Sequence, residues 1–112
     1  MKYYYSLYMS DDLISKKGHV LEKIEQDKWQ LGKYLIVLPS NESNQLEFYS
    51  SVILLQDAMT KGDLFIVGIA SGYDEAVKLV RKITEDVYEE TCGADIRNYL
   101  LGKQQEYEKG NV

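Results

Sequence analysis

The strongest structural signal in this sequence is a pair of unbroken apolar runs, from Tyr34 to Leu38 and from Leu64 to Ala70. A strand that lacks polar alternation is buried on both faces, and helices layered on a parallel sheet provide that burial. Each run leads through a short polar stretch into a segment with apolar residues at helical spacing. The centre of the chain therefore predicts two consecutive strand–helix units of an α/β layer fold.

A further strand and helix precede these units. Residues 2 to 9 alternate with period two and are rich in tyrosine, which predicts a strand toward a sheet edge with one wetter face. Ser10 stands as an N-cap before Asp11 and Asp12, whose charges favour the positive end of a helix dipole. Apolar residues then recur at helical spacing as far as Ile24, so we expect a helix with Gly18 in its interior.

The segment from about Gln45 to Thr60 is apolar around almost its whole predicted helical circumference. Asn44 and Glu47 have the spacing of a helix-capping pair. A helix with only a thin polar stripe is buried on more than one side, whereas a small sheet covers one side of it. The sequence therefore predicts that a second copy of the chain covers the rest. The predicted interface residues are Phe48, Tyr49, Val52, Ile53, Leu55 and Met59.

The last third of the chain predicts two more helices. Gly68 interrupts the second apolar run and marks a close backbone contact. Ser71-Gly72-Tyr73-Asp74 then has the S-x-x-[DE] pattern of a capping box, which predicts a helix from Tyr73 to about Thr91. A shorter helix follows Asp95, and we expect the tail from about residue 103 to be frayed.

These elements predict one α/β domain over residues 1–112 with the order βαβαβα. Right-handed crossovers would make it a small three-layer sandwich with a short, mostly parallel three-stranded sheet. Over about residues 33 to 91 the pattern is similar to half of a flavodoxin-like or Rossmann-like doubly wound domain. The sequence contains neither a GxGxxG nor a GxxxxGK[ST] fingerprint, so the resemblance implies an architecture and no cofactor.

Polar residues follow both apolar runs. In open α/β sheets, ligands bind outside the carboxyl ends of the strands, where such residues would gather if the two strands are adjacent and parallel. Ordinary helix capping uses the same residue types and is the more common reason for them. The candidate ligand contacts are Ser40, Asn41, Asn44, Ser71, Gly72 and Tyr73.

The residues that usually carry catalysis are few. With one cysteine, Cys92, and one histidine, His19, the chain cannot form a zinc site with nitrogen and sulfur ligands. Cys92 follows the carboxyl end of the predicted third helix, where the dipole disfavours a thiolate. His19 has no partner that would define a triad. We therefore predict no catalytic residue, no metal and no cofactor.

Charge and segment composition bound the partners and the compartment. A formal charge of −5 disfavours binding to nucleic acid or to an anionic membrane surface. The amino terminus lacks an apolar signal region, and no apolar stretch approaches the roughly 20 residues that span a bilayer. A single cysteine cannot form an intrachain disulfide. These features predict a cytosolic protein that binds neither nucleic acid nor membrane.

Tyrosine is the compositional exception, with ten residues in 112. Tyrosine suits positions where one side is buried and the other is wet, which fits half-buried packing and a protein interface equally. Together with the apolar helix, this predicts a non-catalytic cytosolic α/β module that acts through homodimerisation and protein–protein contacts. The alternative is a small-ligand-binding or simple enzymatic domain that uses the loops at the carboxyl ends of the two buried strands.

Overall fold

A computed structural model describes residues 2–26, 32–39, 46–51 and 65–110. Within these ranges the chain forms four strands and four helices. In chain order they are β1 (Lys2–Met9), α1 (Asp11–Ile14), α2 (Lys17–Glu25), β2 (Tyr34–Leu38), β3 (Glu47–Ser50), β4 (Phe65–Ala70), α3 (Tyr73–Thr91) and α4 (Ile96–Glu108).

The four strands form one mixed sheet in the order β1-β4-β2-β3. β1 is parallel to β4, whereas β2 is antiparallel to both β4 and β3. The prediction of a mostly parallel three-stranded sheet in βαβαβα order is therefore wrong, although the α/β class agrees with the structure. The likeness to half of a doubly wound domain fails for the same reason, since that fold is built on parallel neighbours. β1 lies at a sheet edge, as predicted.

The error begins in the segment that follows β2. Glu47–Ser50 is a strand and not the start of a helix, and it pairs with β2 so that Phe48 lies opposite Ile36. Phenylalanine and tyrosine favour strands, and a short apolar run does not separate strand from helix by periodicity alone. The rest of the predicted helix, residues 52–60, lies outside the described residues.

Helices cover both faces of the sheet, which explains why its central strands lack polar alternation. α3 and α4 pack on one face, against Ile36 and Val67. α1 and α2 pack on the other face, against Leu35 and Ile66. Burial on both faces, rather than parallel pairing, produces the two apolar runs of the sequence.

One of the two predicted caps has the right position, and neither makes the predicted bond. Ser10 is the N-cap of α1, yet its side chain makes no capping bond there. Its hydroxyl instead accepts a hydrogen bond from the Ser71 N–H at 3.0 Å and so ties the end of β1 to the end of β4. The predicted capping box at Ser71 is wrong, because the N-cap of α3 is Gly72, which has no side chain that could make a capping bond. The predicted span of α3 itself is confirmed.

Gly68 makes the close contact that the sequence predicts. A Cβ atom at this position would lie 3.1 Å from Ile36 Cδ1 and 3.4 Å from the carbonyl oxygen of Tyr8. The two neighbouring strands, β1 and β2, therefore approach β4 at a point where only glycine leaves them undisturbed.

We expect Gly68→Ala to lower the free energy of unfolding by about 1–3 kcal/mol, because Ile36 must leave its packed position. Urea denaturation followed by circular dichroism measures the change. Gly102→Ala is the matched control, since a Cβ there meets no atom within 4 Å and alanine favours the helix. A Gly68→Ala protein as stable as the parent would show that the strands are not in this contact.

Candidate protein-binding surface

Helix α3 is the element on which the candidate surface is built. Its inner face buries Ala76, Leu79, Ile83 and Val87 against the sheet. One flank, here called the inner flank, faces α4 and β1. The opposite flank, here called the outer flank, carries Tyr73, Val77, Thr84 and Tyr88 and lies on the side of β2 and β3.

Two carboxylates on the inner flank each accept a hydrogen bond from a tyrosine hydroxyl. Tyr8 of β1 donates to Asp86 Oδ2 at 2.7 Å, and Tyr99 of α4 donates to Glu90 Oε2 at 2.5 Å. Lys82 Nζ lies 2.9 Å from Asp86 Oδ1. Because the partners come from three elements, these bonds fasten β1 and α4 to α3.

Tyr8 and Asp86 on the inner flank keep their ordinary neutral-pH states. Burial raises the pKa of the Tyr8 hydroxyl, and its hydrogen bond to Asp86 raises it further. Burial also works to raise the pKa of Asp86, but the hydrogen bonds from Tyr8 and Lys82 outweigh it, so the pKa is lowered. A neutral tyrosine and an ionised carboxylate at pH 7 are not poised to exchange protons with a substrate. The network fits a structural role.

We expect Asp86→Asn to lower the free energy of unfolding by about 1–2 kcal/mol at neutral pH, because Tyr8 and Lys82 lose a charged acceptor. The lowered pKa of Asp86 means that its contribution is complete above the ordinary pKa of about 4 and is lost as the pH falls through the native value. The variant should therefore lose less stability than the parent in acid. Denaturation curves at neutral and acid pH test both statements.

Glu85→Gln is the control for that experiment. Among the described residues, Glu85 pairs with Arg81 on the exposed surface of the same helix, at 2.9 Å, and exposed pairs contribute about 0–1 kcal/mol. Equal effects of the two substitutions would mean that the bonds of Asp86 to β1 do not stabilise the fold.

The tyrosine surplus is partly explained by further bonds of the same kind. Tyr3 donates to Glu25 Oε1 at 2.6 Å on the opposite face of the sheet, and Tyr49 donates to Glu47 within β3. In each pair the tyrosine ring packs against apolar neighbours of the core, while its hydroxyl donates to a carboxylate at the margin of that core. Half-buried packing therefore accounts for these tyrosines.

The outer flank is different, because its apolar groups face solvent. Tyr73, Val77 and Tyr88 have 58%, 46% and 62% of their surface exposed. Within the described ranges, the other large apolar residues with comparable exposure are Ile14 and Tyr107, on other elements. Three such residues on one flank of a single helix form an apolar stripe, which is interrupted between Val77 and Tyr88 by Thr84 and the exposed Arg81.

Aromatic contacts join the stripe to the sheet. The ring of Tyr73 lies 5.5 Å from Phe48 of β3 and 6.0 Å from Tyr34 of β2, both edge-to-face. Near the other end of the helix, an open cavity of about 340 Å³ adjoins Tyr88. It is lined by Thr84, Glu85, Tyr88, Glu89, Gly93 and Ala94. The stripe thus runs from an aromatic cluster to a concavity that is large enough for a side chain of a partner.

The predicted ligand contacts are only partly within the described chain. Ser71, Gly72 and Tyr73 follow β4, whose last residue, Ala70, pairs with Tyr34 at the start of β2. Because β2 and β4 are antiparallel, the carboxyl end of β2 lies at the opposite end of the strands from the carboxyl end of β4. The condition under which the two loops would gather, that β2 and β4 are parallel, is therefore not met. Ser40, Asn41 and Asn44 lie outside the described residues, and their role stays a prediction.

The predicted interface residues divide in a similar way. Phe48 packs toward α3 and Tyr49 toward the other face of the sheet, because they are neighbours in a strand and not in a helix. Val52, Ile53, Leu55 and Met59 lie outside the described ranges and stay predictions. Phe48 does contact Tyr73, which the sequence had assigned to a different site.

Val77 and Tyr88 were missed by the sequence analysis. The signal that could have found them is the width of the apolar arc of α3, since both residues continue its core stripe onto one flank at helical spacing. A core stripe that is wider than one sheet can cover predicts an exposed apolar flank.

Other functional groups are sparse on the described part of the chain. No cluster of three or more His, Cys, Asp or Glu side chains there could hold a metal ion. Cys92 is an exposed free thiol at the end of α3, and His19 is exposed in α2. None of the helices in these ranges has the length and apolarity needed to cross a bilayer.

The chain matches no protein-family model, no curated protein and no solved structure.

Proposed function

We propose that the protein is a non-catalytic, cytosolic α/β module that acts through protein contacts, and that it binds a second copy of itself through the outer flank of α3. The observation that supports this proposal is the exposure of Tyr73, Val77 and Tyr88 on one flank of one helix. Clustered exposed apolar groups mark interaction sites, and tyrosine is enriched among residues that dominate binding energy.

The order of residues along the flank supports self-association. Tyr73 and Val77 are four residues apart near one end, and Thr84 and Tyr88 are four residues apart near the other. Two α3 helices packed antiparallel about a two-fold axis would place Tyr73 against the second copy's Tyr88, and Val77 against its Thr84. A two-fold contact requires such a self-complementary patch.

The sequence predicted a homodimer from an apolar helix over Gln45 to Thr60. That helix no longer supports a homodimer, because Glu47–Ser50 belongs to the sheet. The cytosolic assignment is supported by the exposed free thiol of Cys92, which suits a reducing compartment.

The test compares three proteins by size-exclusion chromatography with light scattering. We expect the parent to be dimeric at micromolar concentration. Tyr73→Ser/Tyr88→Ser removes an aromatic contact that occurs twice in the dimer, at about 2 kcal/mol each, so the Kd should rise on the order of a thousandfold. Ile14→Ser is the control, because Ile14 is equally exposed but lies on α1, across the sheet. A parent that is monomeric, or a double variant that stays dimeric, would refute the proposal.

A further inference from the structure

The carboxyl end of α3 carries charges that do not suit a helix end. Its last turn contains Glu89 and Glu90 and no basic residue. The carbonyl groups at this end give it a partial negative charge, which basic side chains usually offset. Because an unfavourable local arrangement is expected where it serves a function, this end is a candidate site for a positive charge supplied from outside the chain.

The basic side chains of this region pair with other carboxylates. They form three ion pairs, Arg81 with Glu85 at 2.9 Å, Lys82 with Asp86 at 2.9 Å and Lys103 with Glu90 at 3.7 Å. Among the described residues, no lysine or arginine lies within ion-pair distance of Glu89, which is exposed. Glu89 is therefore open to a cation from another molecule.

The open cavity of about 340 Å³ lies beside Glu89, and its other lining residues are Thr84, Glu85, Tyr88, Gly93 and Ala94. Glu85 and Glu89 are four residues apart and so share one face of the helix. Tyr88 is 62% exposed, and the face of its ring attracts cations. The small lining residues leave room for an aliphatic stem. The cavity therefore complements a side chain that is apolar along its stem and positively charged at its tip.

We propose that this cavity receives an arginine side chain of a protein partner, with the guanidinium between the Glu89 carboxylate and the Tyr88 ring. Arginine suits the site better than lysine, because its planar group stacks on aromatic rings and is less strongly hydrated. The formal charge of −5 favours approach by a basic partner.

This inference rests on the protein-contact part of the proposed function and names the residue that a partner must present. It does not require the α3 pair. Glu85 and Glu89 each follow an outer-flank residue by one position, so they lie about 100° further round the helix than that flank.

The first test uses the exposed thiol of Cys92, the chain neighbour of Gly93, as a tether. The protein is equilibrated with cystamine or with bis(2-hydroxyethyl) disulfide, each with its reduced thiol, and mass spectrometry measures the mixed disulfide. We expect the ammonium adduct to be favoured over the hydroxyl adduct about fivefold, because the tether holds the cation beside Glu89. Glu89→Gln should reduce this preference below about twofold.

Glu90→Gln is the matched control for the tethering test. It removes the same charge from the adjacent residue, which bonds to Tyr99 and Lys103 on the inner flank. We expect it to keep most of the preference for the ammonium adduct. Equal losses in the two variants, or no preference in the parent, would overturn the proposal, since the cation would then not be held at Glu89.

The second test titrates acetyl-Ala-Arg-Ala-amide into the protein and follows the Gly93 and Ala94 amides by NMR. We expect saturable shifts and a Kd at least about tenfold lower than that of the citrulline peptide, which has the same shape and no charge. Tyr88→Leu should raise the Kd several-fold, whereas Tyr88→Phe, which keeps an aromatic face, should not. Equal Kd values for the two peptides, or for the two variants, would refute the proposed arginine site.

Light scattering on the same samples separates this inference from the self-association proposal. A protein that dimerises but prefers neither the ammonium adduct nor the arginine peptide contradicts the arginine site alone. A monomeric protein that shows both preferences supports the arginine site and contradicts self-association alone.

Discussion

Leu100→Ala is expected to lower the free energy of unfolding by about 2–5 kcal/mol. Leu100 is fully buried in the core that α3 and α4 form on the sheet, so its truncation leaves a cavity as well as losing apolar burial. Because small domains are stable by only about 5–15 kcal/mol in total, the variant should be close to its unfolding threshold.

Leu101→Ala is the matched control for this experiment. Leu101 is the next residue of α4 and only half-buried, and the change in helix propensity is identical. We expect it to cost less than about 1.5 kcal/mol, measured for both variants by denaturation with circular dichroism. Equal costs would mean that α4 does not dock on the sheet through Leu100.

Alkaline pH is expected to unfold the protein cooperatively. Burial raises the pKa of four hydroxyls, with carboxylate or tyrosine neighbours adding to the effect; they belong to Tyr3, Tyr4, Tyr8 and Tyr99. The hydrogen bond to Glu47, together with burial, raises the pKa of Tyr49 to about 12. A group with a raised native pKa contributes its full stability below the unfolded pKa of about 10 and loses it as the pH rises toward the native value. In that window, each such tyrosine lowers the free energy of unfolding by at most about 1.4 kcal/mol per pH unit, and by less where its ring is partly solvated.

Tyrosinate absorbance and far-ultraviolet circular dichroism, recorded together during a pH titration, test this expectation. The two signals should change together, because the inner-flank hydroxyls ionise when the chain unfolds. The slope of the unfolding free energy against pH gives the number of protons released on unfolding, and Tyr8→Phe should lower that number by up to one. Gradual ionisation of all ten tyrosines near pH 10 with intact secondary structure would show that these hydroxyls are not held in the fold.

The sequence located most of the described elements but not their arrangement. The runs that became β2 and β4 and the span of α3 were recognisable because burial on both faces and helical periodicity leave direct marks on composition. Strand direction leaves no such mark. β2 is antiparallel to both of its neighbours, yet it is as uniformly apolar as a parallel strand would be, because helices cover both faces.

The site was harder to predict than the fold, for a related reason. Phe48 and Tyr73 were each singled out, but for separate sites, and their contact follows from the pairing of β3 with β2. Tyr88 was missed because a residue beside the core stripe of a helix is exposed or covered according to its neighbours. The strand order and direction decide whether such a residue is exposed or covered, and the sequence pattern did not predict them.

Cysteine cross-linking tests the proposed α3 contact most directly. In a Cys92→Ser background, Val77→Cys/Thr84→Cys would place each new thiol beside its counterpart in an antiparallel α3 pair, whereas Val77→Cys alone would not. Mild oxidation of the double variant should give a covalent dimer of twice the 12.9 kDa chain mass, and oxidation of the single variant should not. Absence of the covalent dimer, or equal yields from both proteins, would contradict association through the outer flank of α3.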